Sequence, residues 1–419
     1  MLDRTIAPPF QNDYTLHLLT PHTVRLMNGA VTHFIKGGTQ EVLKIEIVLP
    51  AGRWFEHLPG LAYLTSNLLS KGTTKNTSTQ IAECFDFYGA HLEVEAGFDF
   101  VSITLYTLAK NVKPTVDQLL ELLIAPSFPN KEVEQFKASY IQTIKVNNQK
   151  TNYLASKEIR KMIFGSAHPY GVEVTIDDVN AIENEALASY HKKQFSNPIG
   201  FISGSYAQED LAFINQSIER IKGHESLPLH IAKSDINPFQ NRIEKKDSVQ
   251  SSLRMGKKTI GPEHVDYAKT LFVNHLLGGY FGSRLMKNIR EEKGLTYGIY
   301  SSMHALQQEC LLTIGADVNS ENRELAFDEI KKEIVKLQTE PVTEIELKTA
   351  SAHFIGSLQA DISTPFAHAD KQKYMLLKNL PANHYQHTID SIAAMQSDDV
   401  MSAAKKYFDT ESFFEVAVG

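Results

Sequence analysis

Groups able to do covalent or metal chemistry are few in this chain and rarely spaced to act together. The nearest thing to a ligand pattern is His384-x-x-His387. Imidazoles three residues apart share a helix face, but two imidazoles alone do not complete a metal site. A solvated helix or turn is the expectation there. Glu56-His57, Glu263-His264 and His224-Glu225 are adjacent pairs, whose side chains leave a helix or strand in different directions. Cys84 and Cys310 are the only cysteines, with no C-x-x-C spacing for structural zinc or dithiol exchange. A reducing, cytoplasmic setting is the simpler reading.

The elements that must position any site belong to a chain of 419 residues, 42% hydrophobic and 22% charged, ordinary values for globular proteins. At about 150 residues per domain this predicts two or three domains. The balance of 42 basic against 49 acidic residues gives −7, which argues against nucleic acid or an anionic membrane as a general partner. The opening MLDRTIAPPF lacks a basic segment followed by an apolar one, and no apolar run approaches the length of a membrane span. The expectation is a soluble, unexported protein.

Periodicity orders the first half as strands, helices, strands, helices. Val31–Lys36 and Val42–Leu49 alternate as strands, with Asn28-Gly29 as a turn. Gly60–Leu69 has apolar residues three and four apart. Thr77-x-x-Gln80 is a capping box before a helix over Ile81–Tyr88, which Gly89 stops. His91–Glu95 and Phe98–Leu108 alternate as strands. A helical stretch then runs from Val112 to about Arg160, followed by a helix over Ala186–Phe195, a strand over Ile199–Ser203 and a helix from Gln208.

The second half repeats this grammar. Gly89 and Gly294 align, each between a helix and a two-strand hairpin, and both halves finish on a strand running into glycine, at Gly204 and Gly419. Between them HESLPLHIAKSDINPF carries two prolines and no periodicity. We therefore expect an α+β protein of two homologous domains, 1–223 and 240–419, joined by a linker at 224–239. Each would be a mostly antiparallel sheet packed with helices.

The ordered pieces (Asn28-Gly29 with its strands, Ala51-Gly52, Lys71-Gly72-Thr73, the Gly89 hairpin, His168-Pro169-Tyr170-Gly171 and GSRLMKNIREEKGLTYGIYSS) together resemble the pitrilysin/insulinase superfamily of zinc peptidases. The similarity is to its short two-domain branch. It implies domains facing one another like a clamshell, in the fold of the mitochondrial processing peptidase subunits. It also implies an inverted H-x-x-E-H motif, whose two imidazoles bind zinc while the glutamate deprotonates the metal-bound water. Counting back from Lys71-Gly72-Thr73 puts Tyr63, Ser66 and Asn67 at those three positions, and Gln142 nearest to the family's third ligand. None of these can do that chemistry, so no metal is expected in this chain.

The same resemblance assigns substrate-binding roles to Arg290 and Tyr297, with Gly278, Gly279 and Gly282 as a shortened glycine-rich loop. A guanidinium can grip a peptide carbonyl or carboxylate, and a phenol can donate to an oxyanion. Read without the family, Arg290 could pair with Glu291, Tyr297 could be a half-buried strand aromatic, and the glycines could serve a turn needing positive φ. Glu93–Tyr106 could accept an extended peptide if it forms an open sheet edge, or could be an interior strand. The expected function is that of a non-catalytic subunit in a heterodimeric zinc peptidase. A partner would bear H-x-x-E-H and zinc, and peptide would be the substrate. The alternative is a stand-alone peptide-binding or scaffold protein, perhaps a homodimer.

Overall fold

The computed structural model describes Thr5 and residues 14–223, 236–246 and 248–419. Most of the expected linker, the pair His224-Glu225 and nearly all of the first ten residues lie outside the described residues. Two sheets organise the chain. The first comprises β1 (His22–Arg25), β2 (Val31–Lys36), β3 (Val42–Leu49), β4 (His91–Ala96), β5 (Val101–Leu108) and β6 (Ile199–Gly204), in the order β1-β2-β6-β3-β5-β4. The second comprises β7 (Gln240–Ile243), β8 (Gln250–Thr259), β9 (Thr296–Ala305), β10 (Cys310–Asn319) and β11 (Phe414–Val418), in the order β7-β11-β8-β10-β9. Within each sheet one pair is parallel, β2 with β6 and β7 with β11, and the others are antiparallel. Apart from β1 the two sheets therefore share one topology, as a duplication requires.

The repeat extends to single glycines. Gly89 has φ +60 and Gly294 φ +63, each turning a helix end into the edge strand beyond it, β4 or β9. A Cβ at Gly204 would stand 2.2 Å from the Val42 carbonyl oxygen at the start of β3. One at Gly419 would stand 2.3 Å from the Gln250 oxygen at the start of β8. Each half thus closes by pressing a glycine backbone against the first residues of its central strand, which no larger residue permits. The Thr77–Gln80 capping box forms as read, at the start of the helix Ser78–Phe87.

β3 shows how alternation sets the layers. Leu43, Ile45, Ile47 and Leu49 point into the first core with helices Leu61–Leu68 and Val112–Ile124. Lys44 and Glu46 point to the other face, yet both are buried. Helix Pro365–Leu377, from the second half of the chain, lies across that face against β2 and β6. Its Lys373 reaches Glu46 at 2.7 Å and its Asp370 reaches Lys44 at 2.6 Å. The exchange is mutual. Helix Thr151–Phe164 of the first half packs on β8 and β11, setting Ile159, Met162, Ile163 and Phe164 among Leu311, Phe414, Val416 and Val418. Gly256 of β8 allows this approach, since a Cβ there would meet Ile163 at 2.9 Å.

The tips of the two edge hairpins also clasp. Asp99, between β4 and β5, accepts the Tyr170 hydroxyl at 2.6 Å and the Gln307 amide, between β9 and β10, at 3.1 Å. The Gln308 amide donates to the Tyr170 oxygen at 3.1 Å. Burial raises the Asp99 carboxyl above its ordinary range, and the Tyr170 phenol is raised as well, chiefly by burial and then by that carboxylate.

Candidate functional site

The helix aligned with the zinc motif, Leu61–Leu68, starts at Gly60 with φ +91. Its free amides are met by Glu56, which accepts from Gly60 at 3.2 Å and Ala62 at 2.9 Å. Glu56 is buried, and desolvation raises its carboxyl. The motif positions are spent on structure. Ser66 Oγ donates to the Ala62 carbonyl at 2.6 Å, and Asn67 Nδ2 to the Tyr63 carbonyl at 2.9 Å. The Tyr63 ring stacks on Tyr140 with centroids 4.5 Å apart and leans on Phe136. Gln142, expected opposite these residues, is exposed; the helix Asn130–Asn147 presents Tyr140 to Tyr63 instead. Burial pushes the Tyr140 phenol up to about 12. An aromatic stack and back-bonded amide and hydroxyl groups do not fit a zinc ion. Among the described residues no group of three His, Cys, Asp or Glu side chains could hold one.

His384 and His387 diverge rather than sharing a solvated helix face. His384 is buried beside Tyr267, Tyr374 and Tyr385, while His387 is exposed. The reason is its place at the first turn of His384–Ala393, tucked against neighbouring helices.

The second cluster is built on two π-helical turns, His275–Gly279 and Met286–Glu292. Such wide turns insert a residue and re-aim the side chains beyond them. In the second, the Lys293 amide donates to the Asn288 carbonyl at 3.0 Å. Asn288 anchors it, its buried side-chain amide donating to Glu329 at 3.1 Å and Glu333 at 2.6 Å. Arg284 is held in a two-pronged pair with Glu346 at 2.8 and 3.0 Å.

Arg290 is treated differently. It makes no ion pair with Glu291 or any other described carboxylate, and its guanidinium lies 4.7 Å over the Phe281 ring, which is 63% exposed. Tyr297 is no half-buried strand aromatic, since it is 92% exposed on β9. Gly278, Gly279 and Gly282 all lack positive φ. Their reason is close approach: a Cβ at Gly278 would stand 2.7 Å from the Ser301 nitrogen, at Gly279 2.9 Å from His275 Nδ1, and at Gly282 2.8 Å from the Tyr280 ring. Spacing gives no reason to single out Phe281. A bulky aromatic between glycines, with no periodic partner, is the signal that could have found it. The stretch Glu93–Tyr106 divides, β4 being the sheet edge and β5 an interior strand.

Under the glycine loop His275 stacks on Tyr280 at 4.6 Å and lies 3.3 Å from a ring nitrogen of His353. Burial, then the His353 charge, pushes His275 down to about 4, against an ordinary value near 6.5. The unfolded chain therefore binds a proton here at a higher pH than the folded one. We expect stability to be fully present above about pH 6.5 and to fall on acidification toward 4. Melting temperature followed over that range should show a shallower slope in His275→Gln. His191, also pushed down to about 4 by burial, supplies a second part of the slope.

The matched topology of the two sheets, each packed with helices, defines a two-domain α+β protein. Insulinase (Peptidase family M16) matches residues 38–169, and the Peptidase M16 inactive domain matches residues 181–353. The chain belongs to the M16 family. It is similar to the "uncharacterized zinc protease YmxG" of Bacillus subtilis, 21% identical over 73% of this chain and 75% of that one. It is also similar to the "non-peptidase homolog YmxG" of Helicobacter pylori, 23% identical over 83% and 82%. The crystal structure of a peptidase M16 inactive domain from Pseudomonas fluorescens superposes with a TM-score of 0.88 at 23% identity, covering 96% of this chain and 98% of that one. No helix among the described residues is long and apolar enough to cross a membrane.

Proposed function

We propose that this chain is the non-catalytic subunit of a two-chain zinc peptidase, presenting Arg290 and Tyr297 to an extended peptide held at a partner's zinc. One contrast carries the reading. The polar groups at the motif positions Ser66 and Asn67 are satisfied within their own helix, whereas Arg290 and Tyr297 have no polar partner among the described residues and Tyr297 faces outward. A half-buried guanidinium without a carboxylate is costly to keep unless something binds it. The open edge of β4 supports the same reading, because main-chain pairing holds a peptide with little sequence demand. Metal analysis of the purified chain should find less than stoichiometric zinc. Peptide cleavage should be absent with this chain alone and appear on mixing with an H-x-x-E-H partner. Cleavage by the chain alone would overturn the proposal, and stable homodimers that bind peptide but never support cleavage would favour a scaffold.

A further inference from the structure

Among the nine described arginines, five pair with carboxylates: Arg220, Arg242, Arg254, Arg284 and Arg323. Arg25 lies exposed on the edge strand β1. The three that are unpaired and half-buried are Arg290, beside the glycine loop, and Arg53 with Arg160. These last two converge on one ring. Arg53 lies 5.0 Å and Arg160 5.8 Å from the centroid of Phe98, at the tip of the β4–β5 hairpin.

Local main chain fixes the arrangement. The Arg53 and Trp54 amides donate to the Gly97 and Phe98 carbonyls at 3.3 and 3.0 Å, so the hairpin tip is docked on the turn that carries Arg53. Gly52 permits this, since a Cβ there would stand 2.5 Å from the Phe98 oxygen. Arg160 is supplied by helix Thr151–Phe164.

Every carboxylate nearby is engaged elsewhere. Asp99 takes Tyr170 and Gln307, Glu56 takes the Gly60 and Ala62 amides, and Glu173 pairs with Lys157 at 3.0 Å. Burial, and after it the charge of Arg53, lowers the proton affinity of Arg160. Glu56 and Glu173 act on Arg53 and Arg160 only through space, with no direct ion pair, and an anion placed between the two half-buried guanidinium groups relieves their repulsion further. The Phe98 ring attracts both guanidinium groups through its π face without using their N–H donors, which stay available to a ligand.

We infer that Arg53 and Arg160, held over Phe98, form a carboxylate-binding site that takes the free C-terminus or an acidic side chain of a bound peptide. The ligand class rests on the proposed peptide-handling role; the site itself rests on the unpaired guanidinium pair. A carboxylate suits two convergent forks because each N–H edge can donate to one or both oxygens. The charge of Arg53 also reaches Tyr140, the ring stacked on Tyr63, so the site lies near the helix Leu61–Leu68.

Trp54 is the only tryptophan, next in sequence to Arg53 and packed 5.2 Å from both His168 and Tyr170. Its fluorescence can report binding to the whole chain without cleavage. N-acetyl-trialanine should titrate as the free acid at least tenfold more tightly than as its amide. Arg53→Gln and Arg160→Gln should each weaken the acid at least fivefold, and Arg25→Gln should change nothing. Arg53→Lys and Arg160→Lys keep charge and stem packing, so folded variants of this kind with intermediate affinity support the forked geometry. Equal response to acid and amide, no effect of the glutamine variants, or a response to sodium sulfate as large as to the acid would each overturn the assignment. Because the titration reads this chain alone, its failure leaves the subunit proposal standing. Carboxylate binding in a chain that never supports cleavage would do the reverse.

Discussion

Replacing Arg290 with alanine, in a complex with an H-x-x-E-H partner, is expected to slow peptide cleavage by roughly 10²–10³-fold, the usual effect of losing one preorganised donor to a developing negative charge. The fold should hardly notice. Among the described residues Arg290 forms no ion pair, and its aromatic contact is with the exposed Phe281 ring. Melting temperature and complex formation should therefore match wild type while kcat falls. Tyr297→Phe removes only a hydroxyl from a residue that is 92% exposed, and should lower kcat with little change in KM. Unchanged cleavage with Arg290→Ala would exclude a transition-state role. Equal loss of affinity for peptide and of kcat/KM would assign Arg290 to ground-state binding instead.

Removing Glu46 should have the largest effect on stability. This β3 carboxylate is buried and meets Lys373 at 2.7 Å and Lys44 at 3.5 Å. Burial alone would lower the Lys44 ammonium, but Asp370 and Glu46 outweigh it and hold it above its ordinary value. In Glu46→Ala two lysines would share Asp370, which is half exposed and a poorer counter-charge. Breaking a buried pair by deleting one member costs about 3–5 kcal/mol. Urea denaturation should show this as a lower midpoint. Lys348→Ala removes an exposed pair with Glu344 and should leave the midpoint unchanged. A small effect of Glu46→Ala would mean that water already reaches the network.

Local signals were legible because they are enforced locally. Thr77 and Gln80 cap a helix by bonding each other's backbone, and Gly89 and Gly294 sit where only positive φ turns the chain. Strand alternation marked β2 and β3 with the ends that the structure shows. The hidden features depend on distant partners. The apolar stripe of Thr151–Phe164 announces a buried face but does not say which sheet will cover it. The polar pair Lys44 and Glu46 reads as a solvated strand face until a helix more than 300 residues away covers it. At the site, counting along the chain reached Gln142, whereas helix rotation presents Tyr140. The π-helical turns around Gly278 and Arg290 break the 3.6-residue count, so the exposure of Phe281 was not readable from spacing.

The exchanged helices have a mechanical consequence. With Thr151–Phe164 seated on the second sheet and Pro365–Leu377 on the first, pulling the halves apart would strip both sheets at once. Each half keeps a core of its own but leaves one face of its sheet to be covered by the other, so the chain should unfold as one cooperative unit. Among the described residues, the two seated helices tie each half to the other's sheet and resist a swing of one half against the other. In a chamber shared with a second chain, each subunit would move as one stiff jaw, and admitting a peptide would require motion at the contact between chains.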